Sequence, residues 1–304
     1  MIITRISGGI GNQLFQYAVG RALSLKNNTE LKLDTHFYGL NIEPDRSFKL
    51  SHFNIPNIEA LIATDADFKK TGIPNPIKQD LFSKIIRKGF RTIESIKPIN
   101  KRKVVLEPTF NFIPKVMDIR GDCYLSGVWQ SEKYFTEFEA AIRKDFALKV
   151  PLSEKAAHVK RMMEASSSVS IHIRRGDQVK DPVLLKKHGE LTKEYYSKAL
   201  VYIQEKTGGT PIRIFVFSDE IDWVKENMNF GTDAVYVSEY KIPDYEELVV
   251  MSACTHHIIA KSSYSWWGAW LNPNNDKIVI APKQRFGEAS NVAHDLIPES
   301  WVQL

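Results

Sequence analysis

From about residue 150 onward, short apolar runs alternate with longer segments whose apolar residues recur at helical spacing. The runs at 168–174, 212–217, 234–238, 256–260 and 277–281 have strand length. In the first of them Val169, Ile171 and Ile173 alternate with Ser170, His172 and Arg174, so the two sets point to opposite faces. Helical patterns lie near 152–165, 192–206, 220–228 and 244–254, and another opens at Ser262-Ser263-Tyr264-Ser265-Trp266-Trp267. Strands and helices in regular alternation predict a parallel, doubly wound sheet. Such a sheet binds ligands outside the C-terminal ends of its strands.

The first half is less regular. Residues 2–7 read as an apolar strand, followed by Gly8-Gly9-Ile10-Gly11-Asn12 and a helix over 13–25 with Leu14, Phe15, Ala18, Ala22 and Leu25 on one stripe. A second strand at 30–34 completes a βαβ-like unit. Residues 36–53 read as loop, and 80–90 as a helix among the breakers Pro74, Pro76 and Pro98. Residues 122–129 predict a buried strand, and Ser131 caps a predicted helix to Phe146. The pattern breaks at Lys149-Val150-Pro151, which places a boundary near 147–153 and gives domains 1–150 and 151–304.

Composition narrows the partners. At 304 residues and 43% apolar content the chain can bury two cores. The net charge is +5, with no long Lys/Arg block, so nucleic acid is not the first expectation; a phosphorylated substrate or an anionic membrane surface fits as well. Cys123 and Cys254 lie far apart among apolar residues and read as buried thiols. No apolar run reaches spanning length, and Met1 leads straight into a strand without a signal-peptide pattern. The expected compartment is a reducing cytoplasm.

The chemistry gathers at predicted strand ends. His172, Arg174, Arg175 and Asp177 end the strand at 168–174; Ser218-Asp219 ends the next; Ser262-Ser263 follows the strand at 256–260. Arginine's planar fork suits a phosphate, as do serines at a helix start. Arg174 with Asp177 also reads as an ion pair fastening a turn, and the serines as plain helix caps. Gly9-x-Gly11 resembles a dinucleotide fingerprint, with Asp34 about 20 residues on, but the third glycine position is Leu14. This disfavours a nicotinamide or flavin enzyme. The small residues still let backbone approach a ligand, with Asn12 and Gln13 as side-chain donors, while tight packing accounts for the glycines alone. Trp266, Trp267 and Trp270 read as core, and Glu246 and Glu247 by default as a solvated pair. No H-E-x-x-H or CxxC pair is present, and the Asp-x-Asp at Asp65-Ala66-Asp67 lies in the first half, far in sequence from the strand ends that carry the chemistry, so no metal ligands are assigned and arginine with helix N-termini is left to meet leaving-group charge.

Taken together, Gly8-Gly9-Ile10-Gly11-Asn12-Gln13-Leu14-Phe15-Gln16-Tyr17, the segment from Leu125 to Phe135, His172-Ile173-Arg174-Arg175-Gly176-Asp177, Val216-Phe217-Ser218-Asp219 and the segment from Ile259 to Leu271 resemble the bacterial α-1,2-fucosyltransferases of glycosyltransferase family 11. The resemblance implies an α/β, GT-B-like fold of two Rossmann-like domains facing a cleft, the first on the acceptor side and the second holding GDP-β-L-fucose. It implies inverting, metal-independent transfer of L-fucose to O2 of a terminal β-galactoside, lipid-linked acceptors in surface polysaccharide or O-antigen synthesis included, at the cytoplasmic face of the inner membrane with at most peripheral attachment. No cofactor is implied. Carried onto matching positions, Arg174 bridges the β-phosphate, His172 contacts the nucleotide, Arg175 and Asp177 shape the loop, and Ser262, Ser263 and Tyr264 lie at the phosphates. Glu247 loosely matches an acid that reads guanine or ribose. Gly9, Gly11, Asn12 and Gln13 approach the donor, Asn12 from across the cleft. Lys261 stands where the family usually has Asn. Catalysis is expected of Arg174, Asp177 and Asn12, with Asp177 or Asp181 as base unless the proton leaves late to the phosphate itself. The rival expectations are a fucosyltransferase of another linkage and a non-catalytic nucleotide-sugar or glycan-binding protein.

Overall fold

β1 (Ile2–Arg5), α1 (Ile10–Lys26) and β2 (Leu31–Asp34) form the first βαβ unit of a computed structural model that describes residues 1–40, 42–76, 78, 80–176, 191–283 and 295–304. The chain divides into two units, Met1–Lys149 and Val150–Leu304. In the first, β3 (Val104–Leu106) and β4 (Cys123–Ser126) join β1 and β2 in a four-stranded parallel sheet of order β2-β1-β4-β3. The connections leave β1 in one direction toward β2 and return on its other side at β4, so the switch point lies between β1 and β4. The helices α2 (Ile58–Leu61), α3 (Asp65–Thr71), α4 (Leu81–Ser95) and α5 (Glu139–Asp145) complete this unit.

The second unit carries α6 (Glu154–Glu164), β5 (Ser168–Ile173), α7 (Lys193–Lys206), β6 (Arg213–Ser218), α8 (Ile221–Asn227), β7 (Val235–Tyr236), α9 (Asp244–Met251), β8 (His256–Ile258), α10 (Ser263–Leu271), β9 (Val279–Ala281) and β10 (Val302–Gln303). Its six-stranded sheet has the order β10-β9-β8-β5-β6-β7, all parallel. The winding reverses between β5 and β8. This is the expected α/β class, with Rossmann-like units and a doubly wound second sheet, as expected of a GT-B-like chain. Both faces of the second sheet are covered: Val169, Ile171 and Ile173 pack with Tyr195, Tyr196 and Ala199 on one face, and Phe215 and Phe217 pack with Ala156, Val159 and Met251 on the other. A parallel strand therefore buries its polar alternates as well as its apolar ones. Ser170 accordingly pairs with His257 Nδ1 at 2.7 Å inside the sheet, and His257 Nε2 lies 2.8 Å from Asn272.

Several expected boundaries shift. α1 begins at Ile10, three residues early, because Gly9 supplies an extended N-cap. The single helix expected over 131–146 is instead two 3-10 turns, Glu132–Tyr134 and Thr136–Phe138, followed by α5. Phe135, between the turns, has φ −135°, outside the helical region. Trp129, expected in a strand, has φ +54° and lies past the end of β4. The strand β10 carries too little apolar pattern to be read from two residues.

Candidate functional site

In the second unit the switch point sets the C-terminal ends of β5 and β8 side by side. That is the crevice where open α/β sheets hold ligands. The end of β5 brings His172, Arg174 and Arg175; the end of β8 brings Lys261, Ser262 and the first turn of α10. The end of β6, on the other side of β5, brings Ser218 and Asp219.

Asp219 organises the arginine loop. One carboxylate oxygen lies 2.8 Å from Arg174 Nη1, and the other accepts the Arg175 backbone N–H at 3.0 Å. Gly176 permits this approach: a Cβ there would fall 2.1 Å from Asp219 Oδ2, well inside van der Waals contact. The glycine is required by space, since its φ is not among the positive ones. Charge-assisted contacts of this kind hold a guanidinium in one orientation. Arg175 turns elsewhere. Its guanidinium stacks on Trp223 with Cζ 3.3 Å from the ring centroid, and Nε lies 3.5 Å from Glu220. Arg175 is thus held between Trp223 and Glu220. Asp177 and Asp181 lie outside the described residues.

His172 is only 5% exposed, where strand alternation suggested an open face. Its ring packs 5.6 Å from Tyr264, and its Nδ1 is buried without a hydrogen-bond partner among the described residues. Burial, with the nearby Arg174 charge, holds its pKa down to about 3 from 6.5. Burial, with Lys277 and His256, does the same to His257. Both rings are neutral at pH 7, so neither supplies charge to an anion. In the unfolded chain they protonate near pH 6.5, so acidification below that value favours unfolding until about pH 3. Together they should lower the unfolding free energy by about 2 kcal/mol between pH 6.5 and 5.5. Urea denaturation at the two pH values measures it, and an unchanged midpoint would contradict these assignments.

Ser262 N-caps α10 by accepting the Tyr264 backbone N–H at 3.2 Å, so its capping role is realised. Capping does not remove the helix N-terminus as an anion site, because the first-turn N–H groups still point out of the β8 end. The Tyr264 hydroxyl lies 2.8 Å from the Asp244 carbonyl and 3.1 Å from Glu247 Oε2. Glu247 Oε1 also accepts from Ser238 Oγ at 2.8 Å, and Ser238 Oγ accepts the Ser218 N–H at 3.1 Å. Glu247 is therefore no freely solvated carboxylate: burial pushes its pKa up, against the pull of these hydrogen bonds. Ser218 Oγ accepts the Glu220 N–H at 3.0 Å and so braces the turn into α8. Glu246 is buried too and receives both the N–H and the hydroxyl of Ser153, the cap of α6.

In the first unit the switch point sets the end of β1 beside the end of β4. Gly8 has φ +73°, a left-handed turn that favours glycine. Its carbonyl accepts from Tyr38 Oη at 3.0 Å and Gln13 Nε2 at 3.0 Å. Gln13 also donates to the Ser47 carbonyl at 2.9 Å and accepts the Lys49 N–H at 2.8 Å. With both amide hydrogens committed and the side chain fully buried, Gln13 is a strut between two loops. Gly11 likewise sits inside the first turn of α1, not in the loop. Gly9 remains at the N-cap, where a Cβ would come 3.2 Å from Arg46 Nη1. Asn12 Oδ1 accepts from Gln130 Nε2 at 2.8 Å, and Gln16 reaches Ser7 N–H and the Gly127 carbonyl, fastening the β1 loop to the β4 loop.

Three organising residues carry no motif. Glu107 accepts the backbone N–H groups of Val128 and Trp129 at 2.6 and 3.1 Å and holds the β4 loop; Arg46 crowds Gly9; Trp223 seats Arg175. Periodicity could not signal Glu107, because its partners are backbone amides 21 and 22 residues away.

Among the described residues no group of three or more His, Cys, Asp or Glu side chains is placed to hold a metal ion, and no helix is long and apolar enough to cross a membrane.

Comparison with known proteins places this geometry. An alpha-1,2-colitosyltransferase of Escherichia coli is 32% identical over 307 aligned positions, covering 100% of this chain and 99% of that protein. The O-antigen biosynthesis glycosyltransferase WbnK of Escherichia coli is 32% identical, covering 98% and 99%. The galactoside 2-alpha-L-fucosyltransferase SEC1 of Bos taurus is 24% identical over 48% of this chain and 41% of its own length. The profile of glycosyl transferase family 11 matches residues 1–304, and the chain belongs to that family.

Proposed function

We propose that the protein transfers L-fucose from GDP-β-L-fucose to O2 of a terminal β-galactoside, with inversion and without a metal ion. The observation that carries this reading is Arg174, oriented by Asp219 at the switch point beside the N-terminus of α10. In the reaction the bond from fucose C1 to the β-phosphate oxygen breaks, and its electron pair leaves with GDP. The acceptor O2 forms the new bond on the opposite face of C1, turning β into α. Charge grows on the β-phosphate as the bond breaks, and a fixed guanidinium with helix N–H groups stabilises that charge more than the ground state. Asp177 or Asp181 takes the acceptor proton, or the proton passes late to the phosphate. Gly9 and Asn12 take part in donor binding, the first unit serves the acceptor, and Glu247 reads the nucleoside. The setting is surface-polysaccharide assembly at the cytoplasmic face of the inner membrane, with acceptors that can be lipid-linked.

A second reading concerns the sugar alone. The alpha-1,2-colitosyltransferase relative favours colitose as the transferred sugar; with the same nucleotide the donor is GDP-colitose, whose sugar is 3-deoxy-L-fucose. The donors differ by one hydroxyl, which a polar pocket can sense strongly. Incubation with GDP-fucose or GDP-colitose and a panel of galactosides, with and without EDTA, separates the cases. GDP release with GDP-fucose and a galactoside, unchanged by EDTA, is the expected result. Release with GDP-colitose alone assigns the other donor. Loss of activity on chelation contradicts the metal-free mechanism, and no release with any pair supports a binding protein.

A further inference from the structure

The helix α4 presents an apolar stripe to solvent. Leu81, Phe82, Ile85 and Ile93 are 74, 73, 60 and 59% exposed, and Ile96, just past its end, is 82% exposed. With Ile86, the helix members of this stripe span about 140° of its circumference. A stripe of that width normally faces a core. Here the core side is a different one: Phe90 packs against the cluster of Ile73, Val104 and Tyr124, and Glu94 is buried against Lys97 Nζ at 2.7 Å and the Lys103 N–H at 2.6 Å. Arg87 ties the same side down through the Asn75 and Lys78 carbonyls. The helix is thus anchored by one edge while its apolar face stays open.

The exposed charges on the helix itself have one sign. Lys84, Lys88 and Arg91 are exposed along the flank, Glu94 is the single acid between residues 81 and 96, and it is buried. Asp80 lies at the N-terminal tip, where it caps the helix by accepting the Ser83 N–H. Bulky aliphatic residues and a phenylalanine on a convex face, with cations beside them, complement a surface that is apolar below and anionic at its rim. A bilayer with acidic headgroups has that make-up.

We propose that α4 is a membrane-surface anchor: its stripe of Leu81, Phe82, Ile85, Ile86 and Ile93 lies in the headgroup–acyl boundary of an anionic bilayer, and Lys84, Lys88 and Arg91 contact the headgroups. The anchor is independent of which sugar the enzyme transfers.

Co-flotation of the full chain with phosphatidylcholine vesicles, with and without phosphatidylglycerol, tests this. The wild type should float with the phosphatidylglycerol vesicles, less at raised salt because the headgroup contacts are screened. Phe82→Ser/Ile85→Ser should abolish flotation, and Lys84→Gln/Lys88→Gln should weaken it about thirtyfold. These side chains are exposed, so both variants should keep the wild-type circular dichroism and melting temperature. A wild type that does not float, or a Phe82→Ser/Ile85→Ser variant that floats equally, overturns the proposal. So does a wild-type dimer in sedimentation that this variant converts to monomer without any vesicle binding, since the face would then join two copies of the chain.

Discussion

Arg174→Ala is expected to lower kcat for sugar transfer about a thousandfold while weakening GDP binding only several-fold. The asymmetry follows from where charge appears. Bound GDP-sugar and bound GDP both offer phosphate oxygens to many groups, so one guanidinium adds little to ground-state affinity. Bond breaking shifts charge onto the β-phosphate, and a preoriented guanidinium gains most at that moment. The orientation is visible in the 2.8 Å pair with Asp219. Steady-state kinetics with the donor, beside calorimetric titration with GDP, gives both quantities. Equal losses in kcat and GDP affinity would reduce Arg174 to a binding residue. Arg174→Lys should recover part of the rate, because the charge returns without the planar fork.

Gly176→Ala should cost about 10–100-fold in kcat with little change in donor KM, although it adds one methyl group. That methyl would stand 2.1 Å from Asp219 Oδ2, so the carboxylate must leave its place between Arg174 and the Arg175 N–H. Asp219→Asn should act in the same direction with the loop's shape retained, since the amide keeps one acceptor and loses the charge. If both act by releasing Arg174, the double variant will be no worse than the more severe single one, because residues in one contact network are not additive. Multiplying losses would show two separate faults, and a fully active Gly176→Ala would remove Asp219 as the positioning group. Matching melting temperatures separate this effect from general destabilisation.

The second unit is the more legible half because its strands are flanked by amphipathic helices of ordinary length, so period alone orders β5 to β9. The loops at the strand ends are legible as chemistry for the same reason: a parallel sheet gathers the residues just past each strand at one edge. The departures have identifiable causes. Alternation implies one wet face for His172, whereas a parallel sheet covers both. Residue type suggests ligand contacts for Gln13 and Arg175, but no local pattern reveals their partners, the Gly8 and Ser47 carbonyls in two loops and Trp223 in α8. Gly176 shows the reverse: in sequence it is an ordinary turn residue, and only the Asp219 carboxylate against it makes it a requirement. The apolar face of α4 is equally hidden, because the pattern over 80–90 gives a helix but not its exposed side. That side is set by which edge, Phe90 and Glu94, meets the core.

Inverting transfer to O2 of galactose is the central claim, and product structure tests it most directly. NMR of the disaccharide linkage made from GDP-β-L-fucose and a β-galactoside should show an α-anomeric fucosyl proton and a through-bond correlation from fucose C1 to galactose H2. A β-anomer, or a correlation to any other galactose position, would contradict the account.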